Sequence, residues 1–432
     1  MRTPAFLRHP TVFVLFGATA AFCTYACMYA FRKGITAVTF EGMAYAGLSY
    51  KTWFIMAQVL GYALSKRIGV KVVAEVSPGR RAGYVLAFIA AAEVALLGFA
   101  LVPPPYNIAF LLLNGLPLGM VYGVVLGFLE GRRQTDALVA GLTASFIFAS
   151  GFVKTVALTI RASWGVSEFW LPFVTGALFV VPLLLSVFAL TLLPPPTAAD
   201  HAQRTVRHPM SQTDRRAFVR YFNPGLALLI VAYVLLSAFR DFRDNFGPEI
   251  LSGAGLSPGV FTQTETWVAV SLLVIMAALG VVRDNWQAFR LINAAMIVAM
   301  GGLALSTYAF DRGWLSIGNW YLLLGVGLYA AYVPCNGLYF ERLVAAFRYP
   351  STVGLVVTLA DFYGYLGSVG VMLYKNFGQA DLSYLDFLRY GAYGLASLFA
   401  LLVGASYGFI NRRYTPNPTP NLLKGANAPQ LN

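Results

Sequence analysis

The sequence predicts an all-α membrane protein: twelve transmembrane helices in two six-helix pseudo-repeats. Three observations carry that expectation. First, 58% of the 432 residues are apolar and only 11% are Asp, Glu, Lys or Arg, less than half of the roughly 25% usual in soluble domains. The 49 charged side chains cannot cover a water-facing surface of this size, so a soluble enzyme, a disordered chain and a secreted disulfide scaffold are excluded. Second, apolar runs of about 20 residues, the length that crosses a bilayer as a helix, recur along the chain. Third, similar residues return at nearly constant spacing in the two halves.

The runs lie near 11–38, 48–67, 82–102, 107–129, 137–161, 169–193, 224–246, 261–282, 289–310, 316–340, 352–375 and 386–411. Most connections are short. The exception, 194–223, is polar and begins with Pro194, Pro195 and Pro196. It divides the chain into an N-terminal six-helix bundle (1–193) and a C-terminal one (224–411). The stretch 412–432, rich in Pro and Asn, is expected to be a disordered tail.

Charge sets the expected orientation. The net charge is +13, which in a soluble chain would suggest nucleic acid. With the N-terminus cytoplasmic, inner segments hold 20 of the 31 Lys and Arg residues. Outer segments hold 6: Lys33, Lys51, Arg161, Arg312, Lys375 and Arg389. That bias places both termini in the cytoplasm. No nucleic-acid partner is expected. The lipid bilayer is the surrounding, and the chain is expected to be a monomer of a bacterial inner membrane with no cleaved signal. Cys23, Cys27 and Cys335 lie inside apolar runs and His9, His201 and His208 in polar flanks. Neither set has metal spacing, and no cofactor motif is present.

The repeat is read from offsets. Arg32 and Arg240 are 208 apart, Gly69 and Gly280 are 211 apart, and Glu130 and Glu341 are 211 apart. Gly151-Phe-Val-Lys-Thr-Val and Gly364-Tyr-Leu-Gly-Ser-Val are 213 apart. Both copies begin on the same side, so the repeats are parallel. This organisation is similar to that of the major facilitator superfamily, and the resemblance implies a substrate site between the halves near the bilayer midplane.

Ionisable residues within spans cost about 2.5–3.5 kcal/mol on insertion scales and mark function by default. Tyr25, Tyr29 and Arg32 stand at i, i+4 and i+7 and share one helix face. Two phenols and a guanidinium on one stripe accept an anion. Arg240 is the counterpart of Arg32. The two arginines are expected to face each other and to grip one dianionic group. Asp244, one turn after Arg240, can pair with it and is a gating or coupling candidate. Tyr62 and Lys66 share a face of span 2. Lys66 with Asp361, and Lys154 with Glu265, are expected to pair across the halves as gating or coupling residues. Glu93 is expected to face a neighbouring helix.

These segments resemble the organophosphate:phosphate antiporters, the glycerol-3-phosphate transporter type. Tyr25-Ala-Cys-Met-Tyr-Ala-Phe-Arg-Lys looks like that family's Tyr-x-x-x-Tyr-x-x-Arg-Lys. Tyr62-Ala-Leu-Ser-Lys looks like its Tyr-x-x-Ser-Lys, and Tyr363-Gly-Tyr-Leu-Gly like its Phe-Gly-Tyr-Leu-Gly. Phe239-Arg-Asp-Phe-Arg-Asp-Asn-Phe-Gly-Pro-Glu-Ile-Leu is similar to its second arginine segment, and Gly115-Leu-Pro-Leu-Gly-Met is a looser match. The resemblance implies Arg32 and Arg240 as phosphate-binding arginines, with Tyr62 and Lys66 lining the site. The chain departs from the pattern after span 2, where Glu75 stands for an expected aspartate. In the second copy Asp284 is nearer. The histidine of the family's span 5 is missing.

The expected function is therefore secondary transport, not catalysis. The cargo is a small anionic, phosphorylated organic solute, moved by alternating access, with exchange for phosphate implied by the resemblance. A receptor built on a transporter scaffold and a proton-coupled carrier, with Asp361 titrating beside Lys66, are the other readings of the same residues.

Overall fold

The computed structural model describes residues 9–132, 134–196, 212–252, 254–335, 338–347 and 354–414. The first half runs α1 (Pro10–Lys33), a 3-10 turn (Gly34–Ala37), the short hairpin β1 (Ala44–Tyr45) and β2 (Leu48–Ser49), α2 (Tyr50–Glu75), α3 (Arg81–Leu101), α4 (Ile108–Leu129), α5 (Thr135–Trp164), α6 (Leu171–Leu178) and α7 (Val180–Thr191). Then follow α8 (Gln212–Phe222), α9 (Gly225–Asn245), the single turn α10 (Gly247–Ile250), α11 (Gly259–Gly280), α12 (Asn285–Asp311), α13 (Ile317–Cys335), α14 (Leu338–Ala346), α15 (Gly354–Leu373) and α16 (Tyr384–Arg413).

Each of the expected runs is helical over most of its described residues, with irregular or strand residues at some ends, as at Leu48–Ser49. Among the described residues, eight helices are long and apolar enough to cross a membrane alone, and the pairs α6–α7 and α13–α14, bent by 42° and 40°, raise the number to ten. The remaining two runs form α2, of 26 residues, and α15, of 20. The protein is an integral, multi-pass membrane protein. Its exposed side chains agree: Leu15, Val94, Leu185, Val274, Val298 and Leu401 are 64–71% exposed. Such a distribution is paid for only where hydrocarbon replaces water as the solvent.

Local chemistry sets the ends. Pro10 opens α1, where its missing N–H is no loss. Ser49 caps α2 by accepting from the Thr52 N–H. Gly165, with φ 64°, ends α5 and bonds back to the Arg161 carbonyl. Asp284, singled out as a motif residue, caps α12 by accepting from the Gln287 N–H at 2.7 Å. Residues 212–222 of the expected polar loop form α8; Phe218 and Phe222 are buried while Arg216 and Arg220 are exposed, a helical period within a polar stretch. His201, His208 and the tail from residue 415 lie outside the described residues.

The fold divides into two compact units. The first takes Met1–Arg204, Asp241–Leu273 and Val369–Phe387; the second takes Thr205–Arg240, Val274–Ser368 and Leu388–Asn432. In the first unit α2 and α4 run in backbone contact. A Cβ at Gly115 would collide with the Gln58 carbonyl, and one at Gly61 with that of Leu112. Small residues permit this approach where lipid offers no hydrophobic drive between helices. An apolar core of Phe40, Tyr50, Phe54, Phe99 and Leu171 closes the hairpin end of this unit.

Candidate substrate and gating residues

Arg32 lies one residue from the end of α1, where the last carbonyls have no partner within the helix. Side chains from other helices supply them. Asn114 donates to the carbonyls of Phe31 and Ala92, each at 3.0 Å. Gln58 donates to the Arg32 carbonyl at 3.1 Å and to Asn114 Oδ1 at 2.8 Å. Thr36 donates to the Lys33 carbonyl at 2.8 Å. The backbone under Arg32 is thus fixed by two amides that the sequence reading passed over; two carboxamides within apolar runs were their only signal.

The guanidinium of Arg32 lies over the Tyr62 ring, 4.2 Å from Cζ to the centroid, and 5.8 Å from that of Tyr29. The Tyr25 and Tyr62 hydroxyls are 3.4 Å apart. The Tyr25 ring meets those of Tyr29 and Tyr122 at 5.6 and 5.4 Å. Lys66 Nζ stands 5.8 Å from the Tyr62 centroid. The structure therefore brings Arg32, Tyr25, Tyr29, Tyr62 and Lys66 together in the first unit. A guanidinium over an aromatic ring carries its N–H donors in its own plane, directed outward from its edges, the geometry that reads an oxyanion.

The second unit holds a comparable arrangement. Arg240 Cζ is 3.8 Å from the Tyr332 centroid and 6.0 Å from that of Tyr329. Tyr332 stacks on Tyr233 at 5.2 Å, and the Tyr233 hydroxyl donates to Asp361. Tyr233, Tyr329 and Tyr332 were missed. Tyr233 is 208 residues after Tyr25, the same offset that joins Arg32 to Arg240, so the repeat held a signal for it.

The expected partner of Lys154 is corrected. Lys154 Nζ meets Asp244 Oδ1 at 2.6 Å, whereas Glu265 meets Arg243 at 2.7 Å. Asp244, a gating or coupling candidate that could also reach Arg240 from one turn away, is the hub of a buried cluster. Its Oδ2 is 2.6 Å from Lys33 Nζ, and Ser150 donates to its Oδ1. Lys33 also donates to Asn245 at 2.7 Å. Lys51 pairs with Glu249 at 2.7 Å and donates to the Thr36 carbonyl at 3.1 Å. Lys33, Lys51 and Lys154 are 3%, 0% and 0% exposed, so two lysines assigned to outer loops are buried. The 3-10 turn after α1 is buried and its Thr36 carbonyl accepts from Lys51, so both lysines sit beside the cluster. Gly151 allows α11 to approach, since a Cβ there would collide with the Phe261 carbonyl and lie 2.6 Å from Glu265 Cγ.

The pairs of Lys33, Lys51 and Lys154 join segments of the first and second halves of the sequence inside one compact unit. Nearby, Tyr384 stacks on Phe246 at 4.7 Å, Lys375 Nζ lies 4.8 Å over the Tyr384 ring, and the Ser49 and Tyr384 hydroxyls are 3.3 Å apart. Glu249 lies between the spans; burial raises its carboxyl above the ordinary value of 4.5, and Lys51 opposes that shift. A separate apolar cleft of about 690 Å³ opens beside α1, α5 and the α6–α7 bend, lined by Phe16, Cys23, Cys27, Phe148 and Phe179. Its lining includes no charged residue and none of the candidate residues. Among the described residues no group of three His, Cys, Asp or Glu could hold a metal.

Solved structures share this fold. The nucleoside transporter NupG superposes with a TM-score of 0.62 at 14% identity, over 93% of this chain and 99% of that one. A D-xylose-proton symporter gives 0.59 at 14%, over 92% and 97%. A bacterial homologue of the human peptide transporters PepT1 and PepT2 gives 0.62 at 12%, over 93% and 100%. The fold is that of the major facilitator superfamily. A Haemophilus influenzae protein named for metabolite transport is 28% identical over 257 residues, 54% of this chain; the chain matches about half, 55%, of that relative's length. A family profile matches residues 34–413, which include Tyr62, Arg240 and the Lys51–Glu249, Lys154–Asp244 and Arg243–Glu265 pairs but neither Arg32 nor Lys33, and the chain belongs to that family, described as a family of unknown function (DUF5690).

Proposed function

We propose that this protein is a secondary transporter that moves a small anionic, phosphorylated organic solute by alternating access. The observation that carries the reading is the seating of Arg32 on Tyr62 and of Arg240 on Tyr332. Each compact unit contributes one guanidinium that lies over a phenol ring and offers its donors to an oxyanion. Lys66, beside Tyr62, adds a third cation. The buried pairs of Asp244, Glu249 and Glu265 serve as the contacts that must part and re-form as access changes sides. Both termini face the cytoplasm, and the membrane is a bacterial inner membrane. The metabolite-transport relative and the transporter fold support transport; the arginine seats support an anion.

The test is ligand binding by purified protein, read as a rise in melting temperature with sugar phosphates, glycerol phosphates and inorganic phosphate. Arg32→Lys and Arg240→Lys keep the charge but lose the planar fork, and each is expected to abolish the shift. Undiminished binding by both variants overturns the reading. Uptake by proteoliposomes separates a carrier from a receptor, which would bind the same anion without moving it.

A further inference from the structure

The first unit contains one carboxyl that the reading above does not use. Glu93 lies in the middle of α3, and both of its oxygens are shielded from solvent without a hydrogen-bond partner among the described residues. Other buried carboxylates of this unit, those of Asp244, Glu249 and Glu265, each meet a Lys or Arg at 2.6–2.7 Å. Its surroundings are apolar and tight. A Cβ placed on Gly176 of α6 would collide with Glu93 Oε2 and lie 3.0 Å from both Glu93 Cδ and Phe31 Cδ1. The carboxyl and the ring of Phe31 therefore both pack on the bare backbone of α6 at Gly176.

The helices packed against α3 are α1, α4, α6 and α7. No residue of α4, α6 or α7 is Asp, Glu, Lys, Arg or His. The charged residues of α1 are Arg32 and Lys33; the first lies over Tyr62 and the second is bound to Asp244. Tyr25 and Tyr29 of α1 meet each other, and Cys23 and Cys27 line the apolar cleft. The 3-10 turn Pro78–Arg80 brings Arg80 only to the far, N-terminal end of α3. An ionised carboxylate held this way would lack both water and a counter-charge, a state that neutralises by keeping its proton.

We propose that Glu93 is a proton-binding site and that its proton couples transport to the proton gradient. The neutral acid fits against Gly176. On release the O–H bond breaks, the proton leaves to water, and the carboxylate left behind requires water or a cation that the closed contact excludes. Ionisation and the parting of α3 from α6 are thus one event. The α6–α7 bend of 42° follows Gly176 by three residues. The link to Arg32 is short: Asn114 binds the carbonyl of Ala92, next to Glu93, together with that of Phe31, next to Arg32. The coupling half of this inference rests on the transporter reading, whereas the proton site does not.

Infrared spectroscopy of the purified full chain at neutral pH tests the site directly. The carbonyl band of a protonated carboxylic acid is expected in the wild type and is expected to vanish in Glu93→Gln. An unchanged band overturns the proposal. Glu93→Asp guards against misfolding, because it should keep a protonated band at a shifted frequency; loss of the band there counts against a site made by burial. For coupling, proteoliposomes containing a pH dye receive inorganic phosphate. Proton entry accompanying phosphate in the wild type and lost in Glu93→Gln, with phosphate exchange retained, supports coupling. Proton entry unaffected by the variant overturns it. If the wild type moves no phosphate, the cargo assignment fails while the infrared result still decides the site.

Discussion

Lys33 and Asp244 form a buried ion pair of 2.6 Å, and the other oxygen of Asp244 meets Lys154 at the same distance. One carboxylate on α9 thereby holds two cations, from α1 and α5. Removing it leaves both lysines in a low-dielectric interior, a loss of about 3–5 kcal/mol for a buried pair broken on one side. Asp244→Ala is expected to lower the melting temperature in detergent strongly. Lys154→Ala/Asp244→Ala should cost less than the sum of the two single changes. Strict additivity would mean that the cluster does not act as a unit.

The α2–α4 contact is equally specific. Gly115→Val places side-chain atoms where the Gln58 carbonyl lies, and overpacking of this kind costs about 1–3 kcal/mol. The same change displaces Gln58, which holds the Arg32 carbonyl and Asn114. Lower stability together with weaker phosphate binding is expected. A variant as stable as the wild type would contradict the close packing.

Tyr62 separates stacking from hydrogen bonding. Tyr62→Phe retains a ring under Arg32 and loses the hydroxyl contact with Tyr25, whereas Tyr62→Leu loses the ring. Cation–π attraction contributes about 0.5–2 kcal/mol. Tyr62→Leu is therefore expected to weaken phosphate binding several-fold to about thirty-fold, with Tyr62→Phe near wild type. Equal loss in both, measured by titration calorimetry, would assign the effect to the hydroxyl.

The pH dependence has a definite sign at Glu249. Burial raises its carboxyl above 4.5, so across the window just above that value the folded chain holds a proton that the unfolded chain has released. The contribution of this group to stability is full below the window and falls as pH rises through the raised value. Glu249→Gln removes the titration. Melting temperatures recorded across mildly acidic pH should show a smaller decline with rising pH in the variant; identical slopes would place the titration elsewhere.

The helices were legible because their signal is length and hydropathy, and both belong to the segment itself. The stripe of Tyr25, Tyr29 and Arg32 was legible for the same reason, since spacing within one helix fixes a shared face. Pairing between helices was not. Lys154 could have met either Glu265 or Asp244, and the choice depends on the path of α9 past α5. Lys33 and Lys51 read as loop charges because nothing local shows that the 3-10 turn Gly34–Ala37 is buried or that both lysines meet carboxylates about 200 residues away. Asn114 and Gln58 carry no charge and stood out in no count. α8 was missed within the expected loop, although Phe218 and Phe222 stand one turn apart with Arg220 between them.

Asn114 has one further consequence. Its two amide hydrogens serve carbonyls of α1 and α3, and its oxygen accepts from Gln58 of α2. Four helices are riveted at one saturated point. Sliding any of them past the others would strand peptide groups in hydrocarbon, at several kcal/mol each. These four helices should therefore travel as a block, and the compliance needed for a working cycle must reside where the backbone is already interrupted. The break between α6 and α7 at Phe179 and the π turn at Tyr374–Gly378 are such joints.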